Sequence, residues 1–318
     1  MTSLNRRRFI GAAIGTGAVA ATAGSWTPAA SADSGTGNRS RGVPNSRIGI
    51  QLYTMREKMG GDANRANVRR VLNRLDAYGY SEVELAGYAG FTAQQFRALL
   101  DNAGLNAVSG HDGVNIDPNN TTWQSDYEQT LENANVMGQQ YTGLAWFPGP
   151  YDDASFWSFL AQRMNEAGEL AKAAGLQFFY HNHNFEFENK QADGTPFFDL
   201  LLAETDPELV KFELDLYWII RGGQNPLEYL TDHADRFFAY HVKDRVWKDR
   251  PDADDFEDAG PGRIDFRDIF AVGDDGPDKH YFIEHDQPLL SHPDLGTPQA
   301  QLTTAKVGIQ FLQEVTWK

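Results

Sequence analysis

The chain contains no cysteine among its 318 residues. This absence excludes disulfide bonds, a thiolate metal site and lipid attachment through a cysteine side chain. Any metal ion would therefore need histidine and carboxylate ligands. Hydrophobic residues make up 41% of the chain and aromatic residues 12%, which is enough for one large domain with a sizeable core.

Positive charge is also scarce. The chain has 28 lysine and arginine residues against 44 aspartate and glutamate residues, which gives a formal net charge of −16. Such a field repels nucleic acid and anionic membranes, so we expect neither as a partner. A strongly anionic substrate would need a local basic pocket.

The sequence lacks a hydrophobic run suited to a stable membrane span. Its apolar stretch from Ile10 to Gly24 is short and rich in glycine and threonine,. Three arginines, Arg6-Arg7-Arg8, precede that stretch, and Ala30-Ser31-Ala32 follows it. A charged start, an apolar middle and an Ala-x-Ala end are typical of an export signal, and the paired arginines indicate the twin-arginine type.

The first 45 residues therefore divide into two segments. We predict that residues 1–32 form the export signal, cleaved after about Ala32, and that the protein is exported. Residues 33–45 are rich in serine, glycine and asparagine, which predicts a flexible linker. Residues 46–318 then form a single folded domain.

Beyond the linker, short apolar stretches alternate with segments of helical spacing such as Val68, Val71, Leu72 and Leu75,. This alternation predicts a parallel sheet, and eight strand–helix units predict closure into a (β/α)8 TIM barrel. A doubly wound sheet is the alternative. The candidate strands are Arg47–Leu52, Glu82–Leu85, Ala107–Ser109, Tyr141–Trp146, Gln177–Tyr180, Lys211–Leu214, Phe238–His241 and Tyr281–Ile283.

Local signals mark some helix ends and loops. Thr92 and Gln95 fit a capping box, Gly104 stands where that helix should end, and Pro226 fits the first turn of a later helix. The acidic segment 249–258 predicts a solvated loop. Residues 260–263, Gly-Pro-Gly-Arg, predict a tight turn.

Four of the candidate strands end on residues that can bind a metal ion. These residues are His181 in the sequence His-Asn-His, Asp215, His241 and Glu284. Because the carboxyl ends of the strands of a closed parallel sheet converge on one cleft, we expect the four side chains to meet there. The sequence therefore predicts a four-ligand metal site.

The same segments resemble the xylose isomerase-like TIM-barrel family, the sugar phosphate isomerases/epimerases, which includes ketose 3-epimerases and inosose dehydratases. The resemblance runs from GIQLYTMRE at Gly49 onward and is most specific in FFYHNHNFEF at Phe178, ELDLYW at Glu213, YHVKD at Tyr240 and IEHD at Ile283. It implies one divalent cation, Mn²⁺, Zn²⁺, Co²⁺ or Mg²⁺, bound by a glutamate, an aspartate, a histidine and a second glutamate. It also implies a sugar or sugar derivative as the substrate.

By position, Asp215, His241 and Glu284 match the last three family ligands. His181 stands where many relatives have the first glutamate, since they read Glu-Asn-His at this strand end. Two arrangements follow. Either His181 is the fourth ligand, or Glu186 takes that place and leaves His181 or His183 for proton transfer.

In the chemistry that the resemblance implies, the cation chelates a sugar carbonyl and a neighbouring hydroxyl, and a carboxylate removes the proton between them to form an enediolate. We expect Glu284 to be that base, with His183 or Glu186 as its catalytic partner. This predicts a metal-dependent isomerase or epimerase. The alternatives are a lyase that performs β-elimination on a 3-keto-glycoside or inosose, and a non-catalytic exported sugar-binding protein.

Other side chains at or just beyond strand ends are candidates for substrate binding. Trp218 lies three residues after Asp215, where the family's epimerases place a histidine, and an indole there would stack on a sugar face or narrow the pocket. Lys243 and Arg245 follow His241 and could balance negative charge or donate to sugar hydroxyls. The remaining candidates are Gln51, Glu84, His111 and Trp146.

Overall fold

The computed structural model describes residues 40–60, 64–246, 255–273 and 278–318. Eight of the strands in these ranges form one parallel sheet. All eight predicted barrel strands are confirmed, with ends that differ by two residues at most. The strands are β1 (Ile48–Gln51), β2 (Glu82–Leu85), β3 (Asn106–Gly110), β4 (Tyr141–Leu144), β5 (Gln177–His181), β6 (Val210–Asp215), β7 (Phe237–Val242) and β8 (His280–Ile283).

The sheet closes into a barrel. Hydrogen-bonded neighbours follow one another from β3 through β2, β1, β8, β7, β6 and β5 to β4. The two outer strands of that series, β3 and β4, are joined by Gln140 N donating to Val108 O at 2.8 Å and Gly113 N donating to Gly143 O at 2.9 Å. Because both edges meet, the TIM barrel is confirmed and the doubly wound alternative is excluded.

Helices surround the sheet. Thr92 and Gln95 form the predicted capping box, Gly104 adopts a left-handed conformation at the end of that helix, and Pro226 occupies a first-turn position. Short helices, Phe185–Glu188 and Leu216–Arg221, follow β5 and β6 directly. The outer helices are α1 (Arg65–Tyr78), α2 (Ala93–Ala103), α3 (Trp123–Met137), α4 (Ala154–Ala173), α5 (Phe197–Glu204), α6 (Pro226–His233), α7 (Phe266–Gly273) and α8 (Thr297–Glu314). Further short elements are the α-helix Arg56–Met59 and the 3₁₀-helices Asn45–Arg47, Leu52–Met55 and Ala234–Arg236.

The apolar core has two parts. The larger part lies between the sheet and the helices. The smaller part fills the barrel interior and contains Val108, Phe179, Phe238, Ala239 and Phe282. The phenylalanine rings occupy space that a side chain on a neighbouring strand would need. A Cβ atom at Gly49, for example, would lie 2.4 Å from the Phe282 ring. Glycine at such interior positions therefore lets the barrel close around phenylalanine.

The predicted export signal, residues 1–32, lies outside the described residues, so export stays a prediction. Within the predicted linker 33–45, Arg41–Gly42 pairs antiparallel with Thr316–Trp317 close to the end of the chain. In the described part of the chain, every helix is too short or too polar to cross a bilayer.

The prediction that residues 249–258 form a solvated loop is wrong for the described residues of that segment. Residues 247–254 lie outside the described ranges, but Asp255 and Asp258 are buried rather than solvated. Asp255 accepts two hydrogen bonds from Arg245, and Asp258 accepts from Thr304 Oγ1 at 2.6 Å. These partners compensate the cost of burying the carboxylates. The turn at 260–263 is present, and the amides of Gly260 and Gly262 donate to Asp244.

Interior packing predicts that Gly143→Ala is destabilising. The added Cβ would lie 2.6 Å from the backbone oxygen of Phe179, and a strand backbone cannot easily move aside. We expect the free energy of unfolding to fall by about 1–3 kcal/mol, measured by urea denaturation. The matched control is Gly42→Ala, also in a strand, where the new Cβ would meet its nearest atom, Val315 O, at 3.4 Å. Equal stability of the two variants would contradict this account.

Candidate metal centre and cavity

The carboxyl ends of four neighbouring strands bring the predicted ligand side chains together. His181, Asp215, His241 and Glu284 are buried, and each offers one ligand atom within 4.8 Å of the other three. His241 Nδ1 lies 2.9 Å from Glu284 Oε2 and 3.8 Å from Asp215 Oδ2. His181 Nε2 lies 3.9 Å from the same Asp215 oxygen. We refer to these four residues as the outer group.

Local structure turns Asp215 toward this group. Asp215 begins the short helix Leu216–Arg221, and its Oδ1 accepts a hydrogen bond from Trp218 N at 2.8 Å. Asn182, the middle residue of His-Asn-His, accepts from Asp215 N at 3.0 Å and so ties the ends of β5 and β6 together. Asp215 Oδ2 is buried and accepts no hydrogen bond from the described residues, although the Lys243 ammonium lies 3.0 Å away as its ion-pair partner. A donor set of two carboxylates and two imidazoles with ligand atoms this close together fits a divalent metal,.

Beneath the outer group lies a layer of charged residues, which we call the floor and which consists of Glu84, His111 and Glu213. Glu213 Oε2 is 3.0 Å from His111 Nε2, from His181 Nδ1 and from His241 Nε2. Glu84 Oε1 is 2.7 Å from His241 Nε2 and 3.0 Å from His111 Nε2. The imidazoles of His181 and His241 therefore each turn one nitrogen toward the floor and the other toward the outer group.

Two of the predicted substrate-binding residues belong to this floor or support it. The Gln51 amide donates to Glu84 Oε1 at 2.8 Å, and the Ser109 hydroxyl donates to Glu84 Oε2 at 2.6 Å. Both Gln51 and Glu84 are fully buried. The structure thus places them below the cavity, where they hold a charge in position, and not on its surface.

Lys243 neutralises much of the carboxylate charge around the outer group. Its buried ammonium lies 3.0 Å from Asp215 Oδ2, 2.7 Å from Glu284 Oε2 and 2.7 Å from Asp286 Oδ2. An ammonium among three carboxylates is strongly favoured in its charged form. Burial opposes this charge, but the three carboxylates together raise the pKa of Lys243.

Burial and neighbouring charges separate the protonation states of the histidines. Burial, together with the charge on His241, holds the pKa of His181 well below its ordinary value. Burial and the Lys243 charge lower the pKa of His183 to about 3. Burial also disfavours the charged form of His111, but Glu84 and Glu213 raise its pKa to about 10. His181 and His183 are therefore neutral near pH 7, the state that a metal ligand requires. For His241, burial is outweighed by Glu213, Glu284 and Glu84, which raise the pKa of this imidazole well above its ordinary value, so this ligand would lose a proton on binding a metal,.

A cavity of about 510 Å³ opens above the outer group. Trp146 is 59% exposed and offers an apolar ring face at its rim, and Tyr53 is 44% exposed with the Arg56 guanidinium over its ring. The cavity also contains several of the predicted site residues. Its lining consists of Tyr53, Ala86, His111, Ala145, Trp146, His181, His183, Glu284 and Asp286.

The structure places three candidates away from the cavity surface. The Arg245 guanidinium forms two hydrogen bonds with Asp255, at 2.9 and 2.7 Å. Glu186 is outside the outer group, because its carboxylate accepts from Tyr180 Oη at 2.6 Å and from His183 N at 3.0 Å. Trp218 is half-buried, and its ring centroid lies 5.5 Å from that of His183.

Two site residues were missed at the sequence level. Glu213 lies two positions before Asp215 in β6, and strand geometry puts both side chains on the same face of the sheet. Asp286 lies two positions after Glu284 and shares Lys243 with it. Strand periodicity could have found Glu213, whereas nothing in the sequence signals that Asp286 shares the Lys243 ammonium.

Comparison with known proteins agrees with this architecture. A family model described as a xylose isomerase-like TIM barrel matches residues 72–307. An inosose dehydratase from Clostridium botulinum is 28% identical over 195 residues, which are 56% of this chain and 61% of that protein. The chain thus aligns with less than two thirds of that relative's length.

Solved structures show the same fold. A sugar phosphate isomerase/epimerase from Parabacteroides distasonis superposes with a TM-score of 0.68 at 26% identity, covering 84% of this chain and 98% of that one. The IOLI protein, whose structure contains a bound zinc atom, superposes with a TM-score of 0.63 at 12% identity over 84% of this chain and 98% of its own.

The raised pKa of the Glu186 carboxyl predicts how the free energy of unfolding depends on pH. Burial raises the pKa of its carboxyl from 4.5 to about 7 in the folded protein. Folding thus favours the protonated form, so this stabilisation is complete below pH 4.5 and is lost as the pH rises through 7. Glu186→Gln should remove this dependence. Relative to the wild type, the variant should gain on the order of 3 kcal/mol of unfolding free energy between pH 4.5 and pH 8.

The measurement is urea denaturation of both proteins in the presence of a chelator. Glu188→Gln, which changes an exposed carboxylate in the same short helix, is the matched control. Parallel stability curves for Glu186→Gln and the wild type would show that the Glu186 carboxylate is ionised throughout this range.

Proposed function

The chain belongs to the xylose isomerase-like TIM-barrel family, and from this premise we propose that it is a divalent-metal-dependent enzyme that enolises a sugar or sugar derivative. The main support is the outer group, in which His181, Asp215, His241 and Glu284 could bind one cation. A cation bound there would polarise a substrate carbonyl and so lower the pKa of the adjacent C–H bond. Two imidazole and two carboxylate ligands suit Zn²⁺, Mn²⁺ or Co²⁺.

Glu284 is the proposed general base. It lines the cavity, and the charges of Lys243 and His241 hold its pKa well below the ordinary value although burial acts in the opposite direction. Glu284 is therefore ionised at neutral pH and can accept a proton from a substrate carbon. Lys243 keeps this carboxylate charged and in place through its contact of 2.7 Å.

His183 is the proposed hydrogen-bond donor to a substrate oxygen. It lines the cavity, and its Nδ1 is buried without a hydrogen-bond partner among the described residues. Its ring lies nearly parallel to that of Phe185, with centroids 5.5 Å apart, and Glu186 accepts from its backbone amide. A neutral imidazole held in this way can donate an N–H to an oxygen that develops negative charge.

Among the outcomes of enolisation, β-elimination is the one that the cavity supports best. Both carboxylates in its described lining, Glu284 and Asp286, follow the same strand, β8. In elimination Glu284 would take the C–H proton, and the C–O bond would break as the double bond forms. The same carboxyl group would then pass this proton to the leaving oxygen, to which His183 would donate a hydrogen bond. Epimerisation needs acid–base groups on two faces of the substrate. The inosose dehydratase relative is consistent with elimination.

An isomerase or epimerase is the second candidate. It is supported by the Parabacteroides structure, which is described as a sugar phosphate isomerase/epimerase. In that reaction His183 would return a proton to carbon or relay it between oxygens, and this requires the imidazole to exchange protons with solvent or with a neighbouring group. A pKa of about 3 keeps His183 neutral near pH 7, so it has no imidazolium proton to return to carbon,.

The charges around the cavity favour an uncharged substrate. Glu284 and Asp286 face it, and the nearby Lys243 ammonium is engaged by three carboxylates. Arg56 donates to Asp286 O at 2.6 Å and packs over the Tyr53 ring. A phosphate ester would therefore meet negative charge. An unphosphorylated sugar also agrees with export, which remains a proposal.

Reaction in D₂O followed by proton NMR separates the candidate functions. With Mn²⁺, Zn²⁺ or Co²⁺ added to the protein, we expect an inosose or a methyl 3-keto-glucoside to lose water or methanol and yield an unsaturated ketone. Asp215→Asn should lower the rate by at least about 100-fold, because it removes a metal ligand. An intact sugar that gains deuterium at carbon would identify an epimerase or isomerase instead. No reaction and no metal uptake would leave only a binding protein.

Trp146 should contribute to substrate binding without contributing to stability. Its exposed indole lines the cavity, and an aromatic face stacks well on the C–H face of a sugar. For Trp146→Ala, we expect KM for the same substrate to rise about tenfold, equivalent to about 1.4 kcal/mol, with an unchanged thermal midpoint. Val272→Ala, at an exposed apolar side chain on α7, is the matched control. An unaltered KM in Trp146→Ala would contradict the stacking role.

A further inference from the structure

The floor beneath the outer group contains a carboxylate that the proposed reaction does not use directly. Glu213 is fully buried and lies in the middle of the β6–β7 pairing, opposite Ala239. Its Oε2 contacts two of the proposed ligands, at 3.0 Å from His181 Nδ1 and 3.0 Å from His241 Nε2. Its Oε1 is buried without a hydrogen-bond partner among the described residues. Burying a carboxylate in such a place costs folding free energy unless charged or hydrogen-bonding partners compensate it.

The contacts assign a different role to each imidazole nitrogen. A carboxylate accepts hydrogen bonds and does not donate them. Glu213 therefore favours protons on His181 Nδ1 and on His241 Nε2. His181 Nε2, which faces Asp215, is then left with its lone pair. His241 Nδ1 lies 2.9 Å from Glu284 Oε2 and would release its proton when a cation takes that position, whereas Nε2 would keep its proton toward Glu213.

From this geometry we propose that Glu213 is a positioning residue, which fixes the tautomer and ring orientation of His181 and His241 so that opposite ring nitrogens, Nε2 and Nδ1, bind the cation. The inference rests on the proposed function, because it presupposes a metal in the outer group. Hydrogen bonding of a ligand histidine to a carboxylate raises its basicity and fixes its direction. Because Glu213 contacts two of the proposed ligands, we expect its loss to weaken metal binding more than the loss of a carboxylate that contacts one.

Glu84 supports the same arrangement from one side only. It lies 2.7 Å from His241 Nε2, and Gln51 and Ser109 hold it in place. Its contacts with the outer group are limited to His241, whereas Glu213 reaches both histidines. We therefore expect Glu84→Gln to weaken metal binding less than Glu213→Gln does.

The barrel also provides a matched control at its opposite end. Glu82 Oε2 lies 2.7 Å from His280 Nδ1, and both side chains are buried. This pair has the same chemistry as the floor but lies at the amino end of β2 and β8, away from the outer group. Glu82→Gln thus reproduces the loss of a buried carboxylate–imidazole contact without touching a proposed ligand.

Metal affinity of the full chain tests the proposal. Zn²⁺ binding to the chelator-treated protein is measured by competition with a chromophoric chelator, alongside the thermal midpoint. We expect Glu213→Gln to weaken Zn²⁺ binding by about 10–100-fold and Glu82→Gln to change it by less than about twofold, even if both lower the thermal midpoint. If Glu213→Gln does not fold, Glu84→Gln takes its place, with an expected loss of several-fold.

A second measurement reads the nitrogens directly. With ¹⁵N-labelled histidine and Zn²⁺, NMR should show His181 protonated at Nδ1 and His241 protonated at Nε2, assigned through His181→Gln and His241→Gln spectra. This readout does not depend on turnover. The opposite tautomers would overturn the proposal, as would an unchanged Zn²⁺ affinity in Glu213→Gln.

Three outcomes separate the inference from the proposed function. Zn²⁺ binding that survives Asp215→Asn but vanishes in Glu213→Gln would place the cation among His111, His181, Glu213 and His241, whose ligand atoms also lie within 4.8 Å of one another, and would overturn the positioning role. A wild-type protein that binds no divalent metal would overturn the proposed function together with the inference. If the wild-type protein binds Zn²⁺ and Glu213→Gln leaves that affinity unchanged, only the inference is overturned.

Discussion

The carboxyl end of the barrel encloses acidic and basic side chains too deeply for water to screen their charges. Each charge must therefore be compensated by another side chain. His181 and His241 lie between two layers of carboxylates, with Glu213 below and Asp215 above. The orientation of the ligand atoms follows from this arrangement, because a ring that turned away would leave a buried carboxylate without its partner on each side.

The barrel and most of the outer group could be predicted because they depend on local sequence. Buried parallel strands are apolar, and a polar residue at the end of such a run, such as Asp215, falls at the mouth of the barrel. Glu213 was harder to recognise, because it interrupts an apolar run and its compensating partner, His111, lies 102 positions away. Arg245 illustrates the same limit. Its position four residues after His241 suggested that it faces the cavity, but Asp255, at the described end of a charged loop, binds its guanidinium.

The histidine at position 181 changes the charge of the outer group. The resemblance to the family implies a glutamate there, and three carboxylates would exceed the charge of a divalent cation. With two carboxylates and two imidazoles, of which His241 would lose a proton on binding the metal, a divalent cation is balanced within its own ligands. Lys243 is then balanced by Asp286, the third carboxylate that it contacts. The substitution thus keeps the site neutral while removing one potential base.

The composition of the cavity lining gives a substrate a preferred orientation. The ionisable side chains of the lining lie at the ends of β3, β5 and β8, namely His111, His181, His183, Glu284 and Asp286, whereas the residues after β1, β2 and β4 contribute Tyr53, Ala86, Ala145 and Trp146. A keto group seeks the polar side, and an apolar sugar face gains most by covering the exposed indole. In the proposed function, this lining would align the reacting carbons with Glu284 without a charged group on the substrate to anchor it.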